Sequence, residues 1–127
     1  MRTNNIIQDK TYCFALKVVK LTRQIAAEKK EFFLTNQLLR CGTSIGANVE
    51  EAIGGQSRKD FSSKMNIAYK EARESHYWVR LMSDSEILSK EKGEELLNDL
   101  DEILRISGSI LRTVKSDENF SSFNSNK

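Results

Sequence analysis

A chain of 127 residues, 39% hydrophobic and 30% charged, has room for one domain that buries its apolar surface without disulfides or a structural metal. With 20 basic and 18 acidic side chains the net charge is only +2, so bulk charge selects no partner and any electrostatic argument rests on distribution. Proline is absent, which removes the commonest interruption of long helices.

The polar start MRTNNIIQDK lacks the apolar segment of a signal peptide, and no apolar run reaches membrane-spanning length. A cytoplasmic protein without membrane contact is the expectation. Residues 1–8 read as an N-terminal arm, 9–115 as a helical body and 116–127 as a flexible polar tail rich in serine and asparagine.

The first predicted helix runs from about Asp9 to Lys30, where Phe14, Val18, Leu21 and Ile25 recur at four-three-four spacing and stack on one face. In the joint EFFLT that follows, Thr35 reads as an N-cap, with Leu34 placed to staple against Leu39. The second helix extends to about Ile53. Leu38, Cys41, Gly42, Ile45, Val49 and Ala52 form its inner face, and Gly54-Gly55 supply its stop. Cys13 and Cys41 lack metal or redox spacing and read as reduced, small apolar residues.

Ser57 reads as the cap of the third helix, with Asp60 three residues on. Here Phe61, Met65, Ala68, Ala72, Ser75, Val79 and Met82 alternate fours and threes without a miss, a register suited to bundle packing. The fourth helix follows SDSEILS. Acids (Glu91, Glu94, Glu95) occupy its first turns and Arg105, Arg112 and Lys115 its end, complementing the helix dipole. Its inner face is Leu96, Leu100, Ile103, Leu104, Ser107, Ile110, Leu111 and Val114. Four helices with short joints predict an all-α, up-and-down antiparallel four-helix bundle.

Two features are left over. Gly42, Thr43, Ser44, Gly46 and Ala47 give up side-chain volume mid-helix, which predicts the close approach of another backbone, and Arg40, Ser44, Ala47 and Glu51 fall opposite the inner face. On the third helix Ile67, Glu71, Glu74, Trp78 and Leu81 form a second apolar and acidic stripe outside the core. Such a stripe predicts self-association through these nine residues. The alternative is cover by the termini or by the joint carrying Phe32 and Phe33.

The segment QLLRCGTSIGANVEEA, followed by DFSSKMNIAYKEARESHYWVRLM, resembles the four-helix bundle family named for proteins encoded in intervening sequences of 23S ribosomal RNA genes. The related accessory variability determinant of diversity-generating retroelements shares the pattern. The resemblance spans about Lys10 to Lys115 and is specific in two blocks. These place the family motif on Arg40, Gly42, Ser44, Gly46, Ala47 and Asn48, and on Lys70, Glu71, Glu74, Tyr77 and Trp78. Many relatives read SIPAN, where this chain has Gly46. The resemblance implies a homopentameric ring of bundle protomers with no known catalytic activity, and no cofactor or small-molecule substrate is expected. For the retroelement branch it implies a ring that binds a reverse transcriptase and nucleic acid.

Arg40, Ser44, Asn48 and Glu51 are placed to form a polar network with Lys70 and Glu74. Nothing beside them supplies a nucleophile, a phosphate-cradling loop or metal spacing, so helix register rather than catalysis is the expected role. The single histidine, His76, cannot build a histidine metal site by itself. Arg58, Tyr69, Arg73, His76 and Arg80 share a flank of the third helix, where cations alternate with rings able to stack on bases of RNA or DNA. On composition alone a solvated flank, paired with acids of the fourth helix, is the simpler reading. A ring shifts the balance, because copies of one modest stripe add their phosphate contacts.

Overall fold

The computed structural model describes residues 6–125, in which α1 (Ile6–Lys29), α2 (Phe33–Ile53), α3 (Arg58–Asp84) and α4 (Lys90–Ser125) account for all regular structure. Each helix packs on its neighbours in sequence and α1 also meets α4, whereas the backbones of the diagonal pairs, α1 with α3 and α2 with α4, stay more than 8 Å apart among the described residues. The joints 30–32, 54–57 and 85–89 are too short for a crossover, so consecutive helices run antiparallel around one core.

The predicted stripes meet in that core. Phe14, Val18 and Ile25 of α1, Leu38, Ile45 and Val49 of α2, Met65, Val79 and Met82 of α3, and Leu96, Leu100 and Ile103 of α4 are buried, with Leu21, Phe61 and Leu104 at its margin. Five hydroxyls share this interior. Thr11, Thr22, Thr35, Ser75 and Ser107 each donate to the carbonyl four residues earlier, at 2.7 to 2.8 Å, so none needs a partner from another helix.

Close approach does occur at the small residues of α2, and the neighbour is α1 of the same chain. A Cβ on Gly42 would lie 3.1 Å from both Cγ atoms of Val18, and one on Gly46 would lie 3.4 Å from the main-chain oxygen of Thr11. The two glycines let α1 and α2 pack with almost nothing between them, while Ala47 is exposed on the outside.

Several ends differ from the sequence reading. Thr35 is not a cap: α2 starts at Phe33, the buried Thr35 hydroxyl turns back to Glu31 O, and the Glu31 carboxylate accepts from Leu34 N at 3.1 Å. A carboxylate three residues ahead satisfies the free N–H as well as a threonine would. Ser57 does cap α3, accepting from Asp60 N at 3.0 Å. That helix closes with Ile87 N to Met82 O at 2.9 Å and Glu86 N to Ser83 O at 3.1 Å, a Schellman pattern with Glu86 at φ 66.

α4 continues through residues 116–125, which composition alone assigned to the tail. No glycine or proline follows Gly108 to end it, and Arg58 holds Asp117 at 2.9 Å. Residues 1–5, in the predicted N-terminal arm, and 126–127 lie outside the described residues. Cys41 is buried as expected, but Cys13 is exposed, because it shares the flank of α1 that carries Lys10 and Lys17 rather than the Phe14 stripe. No helix among the described residues is long and apolar enough to cross a membrane.

Candidate functional site

The antiparallel register of α2 and α3 sets Arg40 opposite Glu71 and Glu74, and Glu51 opposite Lys64. Arg40 bonds Glu74 and stands 3.6 Å from Glu71. Glu74 also accepts from Trp78 Nε1 at 2.9 Å, which fixes the indole over the seam. In the same register Ser44 and Ala47 fall between these pairs, facing the stretch of α3 that holds Ile67 and Glu71. All nine predicted assembly residues therefore share the outer side of the α2–α3 seam.

The expected polar network is smaller than its list. Asn48 Nδ2 bonds Ser44 within α2, at 2.9 Å to the carbonyl and 3.0 Å to the hydroxyl, Glu51 turns to Lys64, and Lys70 is exposed on the outside of α3. Only Arg40 and the two glutamates cross the seam as a cluster. Within it, Glu71 Oε2 is shut off from water and has no hydrogen-bond partner. Burial, then the neighbouring Glu74 carboxylate, raise the Glu71 pKa, and Arg40 opposes them.

Aromatic rings extend this seam toward the start of α2. Phe33 stands edge-on to Trp78 at 6.5 Å and Tyr77 to Trp78 at 5.1 Å. The joint thus covers part of the indole, as the alternative reading required. The cover is itself uncovered, since Phe33 is 64% and Tyr77 50% exposed, with Leu81 and Ile67 each at 38%. Sequence placed Phe33 in the joint, as cover only; its position seven residues before Arg40, two turns back along the outer stripe of α2, was the signal that it continues the seam.

On the other side of α3, Arg73, His76 and Arg80 line a groove of about 360 Å³ with Asp101 and Leu104 of α4. His76 Nε2 is 3.2 Å from Asp101, and Arg58 pairs with Asp117 at the far end. Tyr69 lies against α4, its ring edge 3.5 Å from where a Cβ on Gly108 would stand. These residues lie along one side of α3, where the Tyr69 ring is packed, Arg58 is paired and His76 faces a carboxylate. Neither Arg73 nor Arg80 has a carboxylate partner among the described residues.

Residues 3–109 match the family model described as 23S rRNA-intervening sequence protein. A crystal structure from Bacteroides thetaiotaomicron, described as a protein with unknown function from the S23 ribosomal protein family, is 44% identical, with a TM-score of 0.82. That match covers 84% of this chain and 98% of the other. Among curated proteins, none matches.

Proposed function

The chain belongs to the 23S rRNA-intervening sequence protein family, and on that premise we propose that it is a non-enzymatic scaffold whose copies assemble through the outer α2–α3 seam. The family resemblance sets the expected assembly at a ring of five. One observation carries the reading: Phe33, Tyr77 and Leu81 remain exposed about a half-buried Trp78, and Ile67 about three turns away along α3, on the seam where Arg40, Glu71 and Glu74 meet. Exposed apolar surface centred on aromatic rings and an arginine is the composition of contact surfaces.

The test is mass in solution. Light scattering at micromolar concentration should give a multiple of 14.5 kDa for the parent chain and the protomer mass for Leu81→Glu with Ile67→Glu. A parent chain that stays a protomer overturns the reading.

A second role, nucleic-acid binding along the α3–α4 groove, is supported by Arg73 and Arg80, which line an open groove with Asp101 and form no salt bridge among the described residues. Phosphate is the anion such a pair suits, and repetition around a ring multiplies the contacts. Filter binding of RNA and of single-stranded DNA with salt varied tests it. Retention should fall as salt rises and disappear in Arg73→Glu with Arg80→Glu; retention unchanged by that pair removes nucleic acid as a partner through this groove. A partner enzyme such as a reverse transcriptase, or a purely structural oligomer, then takes its place.

A further inference from the structure

A second apolar patch lies on α1. Tyr12 is 57% and Leu16 46% exposed, although α1 already buries a full stripe against the core. At 100° per residue, Tyr12, Leu16, Lys20 and Arg23 follow one another at spacings of four, four and three on a single outward flank. Lys20 and Arg23 have no carboxylate partner among the described residues. This flank is thus apolar at one end and cationic at the other.

It complements the α2–α3 seam in both respects. The seam is apolar around Trp78 and Leu81 and, where Arg40 stands between Glu71 and Glu74, carries one carboxylate more than its cations balance. Lengths agree as well: Tyr12 to Arg23 rises roughly 16 Å along α1, and Ile67 to Leu81 roughly 21 Å along α3. Because the flank points away from the core and α1 and α3 are diagonal, with backbones more than 8 Å apart, it does not meet the seam of its own chain.

We infer that the α2–α3 seam of one copy receives the Tyr12–Leu16–Lys20–Arg23 flank of the next. The inference rests on the self-assembly proposed above and adds the identity of the opposing surface. Two different patches that meet head to tail make a heterologous contact, which closes into a ring or runs on as a filament, whereas one self-complementary patch would stop at a dimer. Tyr12 and Leu16, which the bundle leaves wet, acquire a partner, and Arg23 or Lys20 supplies the cation that the Glu71–Glu74 pair lacks.

The sole tryptophan reports on the seam, so the α1 flank can be perturbed and read out at a distance. Leu16→Glu and Arg23→Glu, both at exposed positions, are compared with Leu81→Glu by light scattering and by acrylamide quenching of Trp78, with circular dichroism as the check on folding. The expected result is loss of the assembled mass and greater quenching in all three, and recovery of mass when Arg23→Glu is combined with Glu71→Lys. Leu16→Glu and Arg23→Glu that keep the assembled mass while Leu81→Glu loses it overturn the inference and leave self-assembly standing. Recovery failing in the double variant, with each single variant folded, overturns the charge pairing. A parent chain that never exceeds the protomer mass removes both readings.

Discussion

Gly42 of α2 stands directly under Val18 of α1, so close that a methyl group added to the glycine would lie 3.1 Å from both of the valine's Cγ atoms. Val18 is fully buried and β-branched, with one strongly preferred rotamer in a helix, so it cannot turn aside. Gly46, a turn further on, is less confined: the nearest atom to its added methyl is Thr11 O at 3.4 Å.

The same substitution is therefore expected to act with opposite signs at the two positions. Gly46→Ala gains helix propensity, about 1 kcal/mol, against an ordinary contact, and should stabilise. Gly42→Ala gains the same propensity but overpacks the α1–α2 seam, at a cost of about 1–3 kcal/mol, and should be neutral to destabilising. Urea denaturation of both variants checks this, and Val18→Ala in the Gly42→Ala background should recover part of the loss, as coupled neighbours do.

The two cysteines should differ as sharply in reactivity. Cys41 is buried, accepts from Ser75 Oγ at 3.2 Å, and burial pushes its thiol up to about 11, whereas Cys13 is exposed on α1. A thiol pushed up to about 11 leaves roughly a hundredfold less thiolate at pH 8 than an ordinary cysteine holds, before access is counted. Native protein should take up one equivalent of iodoacetamide at Cys13, and Cys41 should react only after denaturation, as peptide mass mapping will show. The pH sign follows: with its folded pKa raised, Cys41 contributes stability that is intact below about pH 8.5 and lost as pH climbs toward 11. Cys41→Ala should flatten that alkaline decline.

How much of this was legible in the sequence depends on which physical rule governed each residue. The four stripes were legible because a 3.6-residue period survives in the order of residues, and Ser75 and Ser107 kept their places in it because a hydroxyl can bond its own helix. Thr35 was misread since capping depends on the φ/ψ of one residue, and a threonine in the first turn has an equally good bond to the preceding carbonyl. Arg40 and Glu74 were grouped in one polar network from the faces they occupy, but Asn48, Glu51 and Lys70 were joined to them wrongly, because the interhelical register that selects partners is set by joint geometry. Tyr12 and Leu16 were legible by the same rule, since at 100° per residue they fall on the side of α1 opposite Phe14 and Val18, but the reading of α1 followed its inner stripe alone.

Across the α1–α4 seam, Lys17 Nζ reaches Asp99 at 2.7 Å and Glu95 at 3.2 Å, and Lys10 pairs with Glu102. The hydrogen bond to Asp99 is the main reason the Lys17 pKa rises, and the one from Lys17 is the main reason the Glu95 pKa falls. A depressed carboxylate contributes stability that is present above its unfolded pKa of about 4.3 and lost as pH falls through the folded value. A raised lysine contributes stability present below about 10.4 and lost as pH rises beyond it. Lys17→Met should therefore cost most between those limits and little outside them. These groups are two-fifths exposed, so the loss should stay below about 1 kcal/mol and shrink in high salt. Thermal melts at several pH values and two salt concentrations provide the comparison.

Glu71 gives the last prediction, and its two halves have opposite signs. With its folded pKa raised by burial and by Glu74, Glu71 contributes stability that is full below its unfolded pKa of about 4.3 and lost as pH rises through the folded value, so at neutral pH the charge is a liability to the protomer. Glu71→Gln keeps the shape and removes the charge. In protein dilute enough to be dissociated, it should raise stability at pH 7, with the gain shrinking as pH falls and the parent carboxyl takes up its proton. At concentrations where copies assemble, the same variant should lower the assembled fraction, since glutamine offers the next copy's Lys20 or Arg23 no charge to meet. Urea melts at dilution and light scattering at high concentration separate the two effects. Destabilisation of the dilute protomer by Gln would mean that attraction to Arg40, at 3.6 Å, outweighs burial, and that the seam has no surplus charge to offer a neighbour.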